Sequence, residues 1–166
     1  MGKTCKPIRL DILGSFYVLV AIGVMTIPIQ WLFAWIVSVT IHELGHLIAL
    51  KLCGVTVDSI SLGWFGARIR SAYIVEKEWL CAIAGPCAGI LLISFSRCFP
   101  RVAICALFHA VFNLLPVYPL DGGRFVRGIL ELLLPYKCAH WIAGVVGLGA
   151  VGIIGLLLVH ILRGVS

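Results

Sequence analysis

Residues Thr40–Leu50 read TIHELGHLIAL. Two histidines, a glutamate and a glycine interrupt an oily run that begins near Ile29. Ionisable groups in such a run are costly, and by default they mark a function. His42 and His46 stand four apart, so on a helix both imidazoles project from one face. With Glu43 directly after the first histidine, the stretch has the HExxH pattern. That pattern supplies two nitrogen ligands for one zinc ion and a carboxylate beside it as general base. Gly45 leaves a position without a side chain, where substrate or a second helix can approach. A bound divalent cation would offset the cost of carrying Glu43 in an apolar segment. The plainer alternative is a pair of histidines that hydrogen-bond across helices as packing groups.

The rest of the chain sets this stretch in a membrane. Of 166 residues, 61% are apolar and 12% charged, and mean hydropathy is +1.11. A soluble domain is about half apolar and about one quarter charged, so polar surface is too scarce here to cover a water-facing globule. The basic opening MGKTCKPIR leads into an apolar run with no small-residue cleavage site, which reads as a retained helix rather than a signal peptide. The net charge of +6 resides mostly in residues flanking apolar segments. This suits anchoring to anionic headgroups, with the lipid bilayer as partner and no nucleic acid. The seven cysteines, at 5, 53, 81, 87, 98, 105 and 138, form no CxxC pair and no zinc-finger spacing.

A spanning helix needs roughly 20 apolar residues. Candidates are Ile12–Ile27, Ile29–Cys53, Trp79–Phe95, Val102–Leu115 and Cys138–Leu162, with a shorter apolar helix at Ile129–Leu134. Between the second and third lies a stretch of different texture. Val55 and Val57 alternate with Thr56 and Asp58, and Ile60, Leu62 and Trp64 alternate with Ser59, Ser61 and Gly63. Period-two alternation broken by glycines reads as short strands over residues 55–75. The expectation is an all-α multi-pass membrane protein with five or six transmembrane helices and a small β-hairpin or sheet near the cytoplasmic face. It forms one membrane-embedded domain over residues 1–166, without a PDZ or CBS domain. With the N-terminus in the cytoplasm and five spans, Lys3, Lys6, Arg9, Lys51, Arg68, Arg70, Lys77, Arg124, Arg127 and Lys137 fall inside. Only Arg97, Arg101 and Arg163 fall outside, which is the positive-inside bias. The expected location is the cell membrane.

Catalytic zinc usually takes three protein ligands and keeps one position for water, so two histidines are incomplete. Asp11, Asp58, Glu76, Glu78 and Glu131 are available. Asp121, in PLDGG, is the best third ligand: two following glycines let the backbone turn sharply and place a carboxylate at a helix end. It also approaches the same membrane side as the HExxH helix. An ordinary Asp-Gly turn is the alternative.

HELGH at 42–46 together with NLLPVYPLDGGR at 113–124 and AGP at 84–86 resembles the site-2 protease family of intramembrane zinc metalloproteases, peptidase family M50. The compact core without a PDZ insertion is similar to the branch of stage IV sporulation protein FB. The resemblance implies one zinc ion held by His42, His46 and Asp121, with Glu43 as catalytic base. It also implies that Asn113 lies near the active site.

On this reading the substrate is a membrane protein with a transmembrane helix that must unwind before attack. The strand segment Val55–Tyr73 offers an edge for an extended peptide, or else caps the site. Asn113 either donates to the oxyanion or satisfies a helix end opened by Pro116. His109, four before Asn113, reads as an interhelical hydrogen-bonding group or a supporting group of the site. The GxxxG of Gly85–Gly89 and the glycines of the last span read as packing faces. A membrane metal-ion transporter or channel component using the same histidines and aspartate is the rival from another class. The base-like Glu43 argues against it.

Overall fold

The structure, a computed structural model, describes residues 9–63, 66–71 and 75–164. Lys3, Cys5, Lys6, Trp64 and Tyr73 lie outside the described residues. In chain order the elements are β1 (Arg9–Ile12), α1 (Gly14–Thr26), α2 (Ile29–Leu52), β2 (Val57–Gly63), β3 (Gly66–Ser71), α3 (Val75–Ile93), α4 (Pro100–Asn113), α5 (Asp121–Leu133) and α6 (Tyr136–Gly164).

Local sequence sets these limits. Pro28 separates α1 from α2, and its missing N–H is harmless just before a helix. At the other end of α2, Gly54 adopts φ +70°, the left-handed turn that ends many helices. Pro100 is the first residue of α4, one place further in than Pro28, which caps α2. Among the described residues, two helices, α2 with 24 residues and α6 with 29, are long and apolar enough to cross a membrane. At 1.5 Å per residue they run about 36 and about 44 Å, against a hydrocarbon core of about 30 Å. α1 and α4 are apolar but shorter, and α3 begins with Glu76, Lys77 and Glu78. Large apolar side chains such as Leu148, Leu156 and Leu162 stand exposed along α6, a surface suited to lipid and not to water.

The sheet differs from a simple hairpin. Its order is β1-β2-β3. β1 pairs parallel to β2, from Arg9 opposite Ser59 to Ile12 opposite Leu62. β3 pairs antiparallel to β2, closing at Gly63 opposite Gly66. The start assigned by sequence to the first span is therefore partly strand. Leu10 and Ile12 alternate with Arg9 and Asp11, the same period-two signal as in β2. With β2 central, the edges belong to β1 and β3. A second difference concerns α5, which begins at Asp121 rather than near Ile129. The DGG turn is its first helical turn, buried at Asp121, Gly122 and Gly123.

The core among α2, α3 and α4 is built from small residues. Ala34, Ser38, Ala82, Ala103, Ala106 and Ala110 are buried, as is usual where apolar helices approach closely. At Gly45 a side chain would meet the Ala84 carbonyl oxygen at 2.6 Å and Ala88 Cβ at 2.7 Å. Beneath the sheet, Leu50, Val55 and Cys81 form a cluster joined by Ala49, Cys53, Val57 and Ile69.

Candidate metal centre

α2 and α3 run antiparallel, and the spacing of four residues on one matches that on the other. Gly85 of α3 faces the His46 ring, and Gly89 faces His42 Nδ1. The GxxxG read as a packing face is thus the floor under both histidines. A Cβ at Gly85 would fall on the His46 imidazole, within 2.6 Å of Cε1. No larger residue leaves room for that ring.

His42 and His46 are buried, at 2% and 6% exposure, and so is Asp121 at 7%. Asp121 Oδ2 lies 3.0 Å from His42 Nε2 and 3.1 Å from His46 Nε2. The two Nε2 atoms are 3.2 Å apart. Three potential ligand atoms therefore meet at one point, although His42 and Asp121 are 79 residues apart in sequence. The opposite nitrogen of His46, Nδ1, donates to the Cys81 carbonyl at 2.7 Å. That bond puts the proton on Nδ1 and leaves the Nε2 lone pair aimed at the cluster, the usual support of a metal-bound histidine.

The arrangement suits a metal ion. A nitrogen lone pair and a carboxylate oxygen in near contact repel unless a cation lies between them. Tetrahedral zinc with ligands at about 2.05 Å spaces them about 3.3 Å apart, close to the separations here. This is the group of histidine, cysteine and acidic side chains among the described residues with geometry for holding a metal. His42 Nδ1 and, one turn before it, Ser38 Oγ are buried without a protein hydrogen-bond partner among the described residues.

Glu43 is half-buried beside the cluster, with His46, His42, Asp121 and Arg124 in electrostatic reach. Asn113 sits at the end of α4. Its amide nitrogen donates to the His109 carbonyl oxygen at 3.0 Å and lies 3.3 Å from His109 Nε2. His109 in turn packs edge-on against His42, ring centres 4.5 Å apart. Among the described residues, the hydrogen-bonding partner of His109 is Asn113 of its own helix. The place of His109 one turn before Asn113 on an apolar helix is the signal by which the sequence offers it as a supporting group of the site, and its ring contact with His42 fits that alternative. Asp11, Asp58, Glu76 and Glu131 are not members of the cluster, while Glu78 joins it indirectly through Arg124. His140 stacks on Tyr136 near the start of α6.

A profile of peptidase family M50 matches residues 30–95 and 89–151, which takes in α2 through much of α6. A zinc metalloprotease of Methanocaldococcus jannaschii is 34% identical over 85% of this chain and 48% of its own. The stage IV sporulation protein FB of Bacillus subtilis is 24% identical over 80% of this chain and 51% of its own. The chain thus spans about half the length of these two relatives. Among solved structures, a site-2 protease from Methanocaldococcus jannaschii superposes with TM-score 0.66 at 28% identity. That match covers 98% of this chain and 86% of the other. The paired histidines, the distant aspartate that meets them and the sequence match across most of the chain place this protein in peptidase family M50.

Proposed function

We propose that this chain is an intramembrane zinc metalloprotease, cleaving a peptide bond in or near a transmembrane segment of a membrane protein. The observation that carries the reading is the convergence of His42, His46 and Asp121 on one point of the apolar helix α2, with Glu43 alongside. His42, His46 and Asp121 hold one zinc ion per chain. When bound, zinc supplies a Lewis acid that lowers the pKa of a coordinated water toward about 7. Glu43 takes a proton from the attacking water and returns it to the leaving amide nitrogen. Asn113 offers its amide to the developing oxyanion, on turning from His109. An edge of the sheet, β1 or β3, pairs with the unwound substrate and presents it as an extended strand.

We place the protein in the cell membrane with α1, α2, α3, α4 and α6 as its spans and the N-terminus in the cytoplasm. The pairing of β1 with β2 supports the arrangement, because the chain leaves the sheet through α1 and returns to it through α2. The basic residues near that end fit a cytoplasmic face.

The test is co-expression and then purified assay with candidate single-span proteins, reading product mass. Dialysis against a chelator is expected to abolish cleavage, and one equivalent of zinc to restore it. Cleavage that survives removal of all bound metal would defeat the proposal. Metal flux across vesicles without proteolysis would favour a transporter.

A further inference from the structure

A metal-binding carboxylate has two oxygens, and the partner of the second decides how the first is presented. Asp121 Oδ2 faces the histidines, while Oδ1 accepts from Arg124 Nη1 at 3.4 Å. The same guanidinium donates through Nε to Glu78 Oε1 at 3.0 Å. Glu78 belongs to the first turns of α3 and its side chain is 12% exposed; that of Asp121 is 9% and of Arg124 33%. Arg127, one turn further along α5, reaches the same Glu78 oxygen at 3.9 Å.

We propose that Arg124 and Glu78 are positioning residues for Asp121. Arg124 pins Oδ1 so that Oδ2 alone is offered to the metal, and Glu78 holds and partly neutralises the guanidinium. This rests on the reading of Asp121 as a metal ligand and adds two residues to it. Three physical points support it. First, a carboxylate at the start of a helix is free to rotate about its Cβ–Cγ bond and can bind a cation through one oxygen or both. A donor fixed on Oδ1 removes that choice. Second, an unneutralised cation beside Asp121 would compete with the metal for its charge. A half-buried carboxylate on the far side of Arg124 weakens that competition without removing the hydrogen bond. Third, two different nitrogens of one planar fork serve the two carboxylates, which a lysine ammonium cannot reproduce in the same geometry. The device also spans two elements, because α3 carries Glu78 and the Cys81 carbonyl that orients His46. One turn of α3 therefore orients a ligand from α2 and, through Arg124, a ligand from α5.

The experiment measures zinc affinity by chelator competition and the visible spectrum of the cobalt-substituted full chain in detergent. The variants are Arg124→Ala, Arg124→Lys, Glu78→Gln and Asp121→Asn, each also melted without metal. Arg124→Ala and Arg124→Lys are both expected to bind zinc about 10- to 100-fold more weakly, the usual effect of removing a hydrogen-bond partner from a metal ligand. Glu78→Gln, nearly isosteric, is expected to lose about 10-fold, and all three to shift the cobalt bands. The metal-free melting temperature of Arg124→Lys should stay near wild type. Should Arg124→Lys and Glu78→Gln keep wild-type affinity and spectrum while Asp121→Asn loses both, the positioning role is wrong and the ligand reading survives. Wild-type affinity in Asp121→Asn overturns both together. Rescue of Arg124→Ala by Arg124→Lys would reduce the pair to a charge that fastens α5 to α3.

Discussion

Glu43→Gln is expected to lower cleavage by about 10²- to 10⁴-fold, the range for loss of a general base, while one equivalent of zinc stays bound. The amide keeps the size of the side chain and its place on α2, half-buried one residue after His42. It cannot take a proton at the working pH. The three atoms that converge belong to His42, His46 and Asp121, so the metal site itself is untouched. Product mass from a co-expressed single-span substrate gives the rate, and metal analysis of the same preparation gives the content. Full activity in this variant would remove the protease reading. Loss of zinc along with activity would make Glu43 part of the metal site.

Gly85→Ala carries the second largest effect, expected as a loss of zinc affinity of about 100-fold or more, beyond what removing a mere supporting partner causes. The new methyl would lie within 2.6 Å of His46 Cε1 and 2.7 Å of Cδ2. Both sides resist adjustment. The imidazole is tied to the Cys81 carbonyl, and α3 is held against α2 where Gly45 meets Ala84. Either the ring swings away from the cluster or the helices part, at about 1–3 kcal/mol for overpacking of this kind. Gly89→Ala is the control. Its methyl would sit at 3.6 Å from Ala110 Cβ and 3.7 Å from the Ala106 oxygen, ordinary contacts. Chelator competition and a thermal melt on both variants separate the cases. Equal affinity in the two would show that Gly85 has no special bearing on His46.

The limits of α2, the strands β2 and β3 and the meeting of Asp121 with the two histidines were legible beforehand, each for a local reason. Ionisable residues in an oily run stand out, a spacing of four puts them on one face, and alternation with glycines marks strands. What escaped depended on partners distant in sequence. β1 is described over four residues, and their alternation does not outweigh the apolar run after it. The start of α5 was hidden because Gly122 and Gly123 are poor helix formers. They are retained where side chains would collide with the backbone at Leu114 and at Val117–Tyr118. Glu78 looked like a charge flanking a helix, since nothing near it in sequence names Arg124. Gly85 looked like half of a packing motif, and only the register of α3 against α2 reveals which side chain fills the gap.

The parallel pairing of β1 with β2 has a mechanical consequence. α1 buries only Gly23 among its residues, so side-chain packing does little to hold it. Yet the strand before it is hydrogen-bonded to the strand that follows α2, and Leu13 donates to the Leu62 carbonyl. The two helices form a closed frame, with the ladder across one end and the two-residue link across the other. Their sheet ends cannot part without tearing the ladder, and their far ends are joined covalently through Ile27 and Pro28. Any sideways bowing of α1 away from α2 must therefore be widest near its middle and vanish toward both ends.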